Sequence, residues 1–122
     1  MRIFSEGTQS QGSAQPLAEL AFAPYIPWSV ASPSSTPRFS GVCWLAAKRV
    51  AEVLGPAQPI GLLEAAWGGT SQQVWMPREA LAPCAPTPPA YPGGWPTAES
   101  CLFNAMVSPL VAFRLAGVVW YQ

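Results

Sequence analysis

The segment "WGGTSQQVW", Trp67 to Trp75, contains groups that could bind a negatively charged oxygen. Gly68 and Gly69 follow the apolar run "IGLLEAA", which predicts a strand that ends in a glycine turn. Glycine lets a ligand approach the backbone closely, so the N–H groups of this turn could form an oxyanion hole. One such donor stabilises a transition state by roughly 3 kcal/mol. The residues leave open the alternative that the segment is only a tight turn.

Hydroxyl groups lie beside this turn, but the chain supplies no base to activate them. Thr70 and Ser71 follow the glycines, and Ser10 lies in "GTQSQG", where two residues precede the serine instead of the single residue of a nucleophile elbow. The 122 residues include no His and no Asp, so a Ser-His-Asp arrangement cannot be built from them. Glu64 is a carboxylate inside the apolar run and has no obvious partner.

Aromatic and sulfur-containing residues allow further possibilities. Trp67 and Trp75 flank the turn and could either stack on a substrate or pack against the protein. The three cysteines, Cys43, Cys84 and Cys101, have neither CxxC spacing nor a histidine nearby, which predicts that the chain binds no metal. Their odd number permits one disulfide and one remaining thiol.

Helix and strand patterns predict how these groups are positioned. Apolar residues recur every three or four positions from Arg38 to Leu54, which predicts a helix that ends at Gly55. Short strands are predicted at "MRIFS", at "PIGLLEAAW" and at "AGVVWYQ", the last two buried. Ligands of open α/β sheets bind beyond the carboxyl ends of the strands. The glycine turn and the amide of Gln122 would share that edge.

The other segments are less regular. Four prolines predict that Leu17 to Pro37 is mostly loop. "MPREAL" predicts one helical turn, and Leu102 to Phe113 a helical piece interrupted by Pro109. Residues 83–97 are rich in proline and predict a loop insertion, with a ligand for a proline-recognising domain as the alternative.

Composition excludes several classes of partner. Six basic and six acidic residues give zero net charge, which disfavours nucleic acid and acidic membrane surfaces. No apolar run approaches the roughly 20 residues of a membrane span. The length predicts one domain over residues 1–122.

Four blocks resemble a known family. "FSGVCWLAAKRV", "PIGLLEAAWGGTSQQVW", "LFNAMVSPL" and "LAGVVWYQ" occur in the order found in the sialate O-acetylesterase family of serine esterases. The resemblance implies a partial flavodoxin-like three-layer α/β/α domain of the SGNH-hydrolase type, with a mostly parallel sheet. It also implies hydrolysis of O-acetyl esters on sialic acids or sialoglycans through an acyl-enzyme, without a metal or cofactor. A lysosomal or secreted location would follow from the family.

The resemblance also implies roles for individual residues. Gly68 and Gly69 match the block that supplies an oxyanion-hole N–H, and Gln122 matches the start of the next block. Asn104 lies in "NAM" and would order the site or contact the substrate. The residues implied to bind the substrate are Trp67, Thr70, Trp75 and Asn104.

The chain also departs from the family pattern. Gln73 stands where a Glu is expected, and Glu64 where a small or neutral polar residue is expected. The family's nucleophilic serine would precede Met1, and its Asp and His would follow Gln122. The sequence therefore predicts an internal fragment that is inactive alone. The alternatives are a carbohydrate esterase of the same fold that resembles acetylxylan esterases, a non-catalytic sialoglycan-binding module and a proline-rich interaction module.

Overall fold

The computed structural model describes residues 1–7, 12–84 and 96–121, which divide into two units. Unit 1 comprises Met1–Gly7, Ala23–Ala66 and Gly117–Tyr121. Unit 2 comprises residues 12–22, 67–84 and 96–116. Unit 1 contains the sheet and the longest helix of the described residues, and unit 2 contains the glycine turn and several short helical turns.

The sheet of unit 1 has three strands in the order β2-β1-β3. They are β1 (Arg2–Ser5), β2 (Ile26–Val30) and β3 (Gly61–Glu64). β1 pairs antiparallel with β2 and parallel with β3. The predicted strands at "MRIFS" and within "PIGLLEAAW" are confirmed, but the second is not buried as predicted, because Gly61 is exposed and the other residues of β3 are only partly buried. The described sheet is mixed, so the prediction of a mostly parallel sheet is wrong for this part of the chain.

β2 was not predicted, because it lies in the proline-containing segment interpreted as loop. Its pairing with β1 shifts register between Ile3 and Ser5, so Pro27 and Trp28 together stand opposite Phe4. A bulge on an edge strand tolerates a proline because the missing N–H is not needed by the hydrogen-bond ladder. The loop prediction is therefore wrong for Ile26–Val30.

Helix α1, Gly41–Leu54, packs against the sheet and confirms the helix predicted from periodicity. It begins three residues later than predicted, because Ser40 caps it: the Ser40 Oγ accepts a hydrogen bond from the Cys43 amide at 3.3 Å. It ends at Gly55, whose φ of +82° suits glycine. Cys43 and Trp44 of α1 pack against a core formed by Ile3, Ile26 and Phe39.

The predicted second buried strand, "AGVVWYQ", is absent from the structure. Residues 117–121 form no strand, and Val118 and Tyr121 are 74% and 83% exposed. An apolar run becomes a buried strand only where a neighbouring strand pairs with it and other layers cover it. The described part of the chain supplies neither for this segment. Gln122 lies outside the described residues.

Unit 2 is built from short helical turns around a small apolar core. Residues Gln72–Trp75 form a 3-10 turn, and α2 comprises Arg78–Leu81, as predicted for "MPREAL". A π-helical turn, Phe103–Val107, leads into a 3-10 turn, Ser108–Leu110, that contains Pro109. The helical prediction from Leu102 is thus confirmed, except that the helical turns end at Leu110. The buried apolar side chains of the unit are Val74, Leu81, Cys101, Leu102, Ala105 and Met106.

The described residues thus give a small α/β structure with a mixed sheet. Residues 85–95 of the predicted insertion at 83–97 lie outside them. None of the helices in the described ranges is long and apolar enough to cross a bilayer.

Candidate functional site

The glycine turn in unit 2 is fixed by the hydroxyl of Thr70. The Thr70 Oγ1 donates a hydrogen bond to the carbonyl oxygen of Trp67 at 2.7 Å. The same oxygen accepts a hydrogen bond from the indole Nε1 of Trp75 at 2.8 Å. Thr70 is only 9% exposed, so these bonds are well shielded from water. Three residues predicted to bind substrate are therefore joined to one another around the turn.

The two glycines between these residues face solvent. Gly69 adopts φ = +79°, a conformation that L side chains rarely adopt, so glycine is required there. At Gly68 an added Cβ would meet nothing within 4 Å. Within the described ranges, neither glycine amide donates a hydrogen bond to a protein acceptor. The turn therefore presents two N–H groups that a ligand oxygen could accept without displacing a protein contact.

A short path of backbone hydrogen bonds connects the turn to Asn104. The carbonyl of Gln73, in the 3-10 turn that ends at Trp75, accepts a hydrogen bond from the Ser100 amide at 3.1 Å. The carbonyl of Ser100 in turn accepts one from the Asn104 amide at 2.8 Å. The glycine turn and the π-helical turn that contains Asn104 thus belong to one hydrogen-bonded arrangement.

The side chain of Asn104 is engaged with the protein. It is 6% exposed, and its Nδ2 donates to the carbonyl oxygen of Ser13 at 3.1 Å. Its own carbonyl accepts the Leu17 amide at 2.9 Å, and the Ser108 hydroxyl donates to the Leu17 carbonyl at 2.9 Å. In the structure Asn104 therefore orders the segment from Ser13 to Leu17, and a role in ordering the candidate site stays a prediction. Contact with a substrate stays a prediction.

Ser100 is a candidate that the sequence did not reveal. Its φ of +63° is unusual for a residue with a side chain, and its buried hydroxyl has no hydrogen-bond partner in the described part of the chain. Strained backbone of this kind often occurs at functional sites. A serine before a helical turn is common, so no sequence signal marks this one.

The cysteines form no disulfide in the structure. Cys43, Cys84 and Cys101 are all free, although the sequence left one disulfide open. Burial raises the pKa of the Cys43 thiol, and the negative charge of Glu64 raises it further. Burial also raises the pKa of Cys101. Because the thiolate is the nucleophilic form, both shifts disfavour a cysteine nucleophile.

Two carboxylates in unit 1 lie near the carboxyl ends of parallel strands. Glu6 follows β1, and its amide donates to the carbonyl of Glu64, the last residue of β3, at 3.0 Å. Both Glu6 carboxylate oxygens and one of Glu64 are buried without a hydrogen-bond partner among the described residues. Burial raises the pKa of Glu6 to about 8. Ser5 and Glu64 pair in register, so adjacent Glu6 lies on the opposite face of the sheet from Glu64.

In the described ranges no three His, Cys, Asp or Glu side chains are grouped in a way that could hold a metal ion. Of the residues predicted for the site, the structure brings together Trp67, Thr70 and Trp75 around Gly68 and Gly69. Gln122 lies outside the described residues.

By its fold the chain is an α/β protein whose glycine turn has two amides without a hydrogen-bond acceptor among the described residues. It is 39% identical over 87 residues to the sialate O-acetylesterases of Homo sapiens and Pongo abelii, and 33% identical over 114 residues to that of Rattus norvegicus. Each match covers 68% of this chain, but only 16% of the human protein and 21% of the rat protein. No protein-family model matches the chain. These similarities support the resemblance seen in the sequence.

Proposed function

We propose that this chain belongs to the sialate O-acetylesterase family and that its glycine turn forms one wall of an oxyanion hole. The observation that carries the proposal is the pair of exposed amides at Gly68 and Gly69, which donate to no acceptor in the described ranges while the turn around them is fixed. Similarity to proteins named sialate O-acetylesterase supports the ester of an O-acetylated sialic acid as the substrate class.

The proposed chemistry assigns a limited role to this chain. When a serine attacks an acetyl ester, negative charge develops on the carbonyl oxygen of the tetrahedral intermediate. N–H groups already aimed at that oxygen stabilise it without reorganising during the reaction. Gly68 and Gly69 would supply such donors, and the amide of Gln122 would add another. Trp67 and Trp75 would border the acyl and sugar groups, while Thr70 and Asn104 order the surrounding backbone.

The remaining parts of the proposal concern the complete reaction. A serine nucleophile needs a histidine base oriented by an acidic residue. The 122 residues contain no His or Asp, so the acyl-enzyme step of the proposed SGNH-type mechanism would require groups outside this sequence. The proposal for this chain is therefore oxyanion binding, and hydrolysis is proposed only for a protein that also contains those groups.

The test uses methylphosphonate as a tetrahedral anion that resembles the intermediate. We expect its addition to the ¹⁵N-labelled chain to shift the NMR signals of the Gly68 and Gly69 amides. Gly68→Pro removes one N–H, whereas Gly68→Ala keeps it and adds a Cβ that meets no atom within 4 Å. Loss of a hydrogen bond to a charged group should weaken binding about tenfold or more in Gly68→Pro only.

Gly68→Ala is the matched control because it alters the same position without removing the donor. Unchanged glycine signals in the wild-type chain would refute the proposed oxyanion wall. Equal binding by Gly68→Pro and Gly68→Ala would refute the role of the Gly68 amide.

A further inference from the structure

A shallow cleft of about 280 Å³ lies in unit 1, and none of its lining residues belongs to the glycine turn. Residues from β2 and the position before it form one side, and the segment that leads into α1 forms the other. Its lining includes Tyr25, Ile26, Ser29, Ser34, Ser35 and Arg38. The cleft therefore combines one cation, one aromatic ring, several hydroxyls and a small apolar floor.

Arg38 is the charged group of the cleft, and it is oriented by an aromatic ring. Its guanidinium carbon lies 4.2 Å from the centroid of the Tyr25 ring. Within the described part of the chain, its guanidinium forms no ion pair with a carboxylate. A guanidinium held over an aromatic ring by a cation–π contact uses none of its N–H donors in that contact, so they can bind an anion.

Tyr25 is itself held in place by a close backbone contact. A Cβ built on Gly7 would lie 2.6 Å from the Tyr25 Cβ, and Gly7 adopts φ = +76°. Only glycine permits this approach, so the backbone of Gly7 packs directly against the tyrosine. The Cβ of Tyr25 is thus fixed by backbone packing, while half of the tyrosine is exposed at the cleft.

The serine side of the cleft is also fixed before any ligand binds. The Ser35 Oγ accepts a hydrogen bond from the Ser32 amide at 3.0 Å, and the Ser35 and Thr36 amides donate to the Ser32 carbonyl at 3.1 and 3.0 Å. The Arg38 amide donates to the Ser35 carbonyl at 3.2 Å. Phe39, the next residue, is buried in the core and anchors the segment.

We propose that this cleft binds the carboxylate of a small polyhydroxylated acid, with Arg38 as the anion-binding residue. The planar fork of a guanidinium matches the two oxygens of a carboxylate. One cation suits a single negative charge better than the doubly charged form of phosphate. The hydroxyl of Ser29 provides a hydrogen-bonding group for ligand hydroxyls, and that of Ser34, which already bonds the Ser32 hydroxyl at 2.9 Å, has remaining capacity for one. The volume suits one sugar-sized molecule.

This inference goes beyond the proposed function, since none of its residues belongs to the glycine turn. The two proposals are also tested at different amide signals in the NMR spectrum of the ¹⁵N-labelled chain. Binding in the cleft is detected at the amides of Ser34, Ser35 and Arg38, whereas oxyanion binding is detected at Gly68 and Gly69. Either proposal can therefore fail without the other.

The test compares N-acetylneuraminate with its methyl ester, which keeps the hydroxyls and removes the charge. We expect the acid to shift the NMR signals of the Ser34, Ser35 and Arg38 amides until the cleft is saturated. The ester should bind at least about tenfold more weakly. Arg38→Gln should weaken binding of the acid to a similar degree. Arg38→Lys, which keeps the charge and loses the fork, should lie between Arg38→Gln and the wild type.

Arg49→Gln is the matched control, because Arg49 is an exposed arginine of the same unit whose partner is Glu52. It should leave binding unchanged. Absence of saturable binding by the acid, equal binding of acid and ester, or tighter binding of inorganic phosphate would each overturn the proposal. If circular dichroism shows that Arg38→Gln does not fold, the comparison of acid and ester on the wild-type chain still tests the proposal.

Discussion

At the scale of single residues, Glu6 has an ionisable group in an unfavourable environment. It is 2% exposed, and both carboxylate oxygens lack hydrogen-bond partners within the described ranges. Removing a carboxylate from water disfavours its charged form, and burial raises the pKa of Glu6 from 4.5 to about 8. Between these values the folded chain binds more protons at this site than the unfolded chain. Its contribution to stability is therefore complete below pH 4.5 and is lost as the pH rises towards 8.

We expect Glu6→Gln to remove most of this pH dependence. The free energy of unfolding of the wild type should fall between pH 4.5 and 8, with a maximum slope of about 1.4 kcal/mol per pH unit from one group. In Glu6→Gln it should be nearly constant over that range. Chemical denaturation at several pH values measures both. Glu52→Gln, at an exposed carboxylate, should retain the wild-type slope, and an unchanged slope in Glu6→Gln would contradict the assignment.

The residues of the two candidate sites differ in how far the sequence could reveal them. The turn at Gly68 and Gly69 was predictable, because two glycines directly after an apolar run are typical of a turn at the end of a strand. The bonds from Thr70 to Trp67 and Trp75 were not, because a tryptophan beside a turn can also stack on a ligand. Tyr25 and Arg38 are thirteen positions apart in an irregular segment, where no periodic pattern indicates that side chains meet. Only tertiary packing brings such pairs together.

At the scale of elements, α1 depends on a local signal at the residue before its first turn, Ser40. The Ser40 Oγ accepts a hydrogen bond from the Cys43 amide, one of the helix N–H groups that have no partner within the helix. Ser40→Ala should lower the free energy of unfolding by about 1 kcal/mol. Thermal or denaturant unfolding measures the loss. Ser40→Asp retains a capping oxygen and should be close to wild type, so equal destabilisation by both variants would argue against capping.

The elements that were predicted correctly have patterns that act locally. The stripe of α1 and its ending at Gly55 depend on residues within the helix itself. β2 was missed because proline normally argues against a strand, and its bulge opposite β1 is a tertiary feature. The opposite error occurred at residues 117–121, where apolar residues predict burial but Trp120 is 56% exposed. An apolar run forms a strand only if a neighbouring strand pairs with it. The residues of the run do not determine whether such a neighbour is present.

At the scale of the whole chain, hydrophobic composition does not specify which residues are buried. Half of the 122 residues are hydrophobic. Nevertheless Leu45 and Val53 on α1 are 66% and 77% exposed, and Val118 is 74% exposed. The aligned regions cover 16% of the human relative and 21% of the rat relative. Stability and catalysis therefore have to be measured on this chain, and cannot be transferred from the longer proteins.

We expect the purified 122-residue chain to release acetate from O-acetylated N-acetylneuraminate no faster than buffer does. The proposed oxyanion hole at its glycine turn would not suffice, because a neutral serine is a weak nucleophile without a base and the sequence contains no histidine. Enzymatic detection of free acetate measures the rate. The rates of acetate release by Gly68→Ala and Gly68→Pro should likewise equal the buffer rate. Without an attacking nucleophile, no tetrahedral intermediate forms for an oxyanion hole to stabilise.

Turnover above the buffer rate would contradict this prediction, and two substitutions would then locate its source. Loss of that activity in Ser71→Ala would assign the nucleophile to the residue beside the turn. Loss in Ser100→Ala would assign it to the serine whose hydroxyl is buried and has no partner among the described residues. Activity retained by both variants but lost on further purification would come from a contaminating esterase, and the prediction would stand. The experiment thus separates binding an oxyanion, which needs only donors, from creating one, which needs an activated nucleophile.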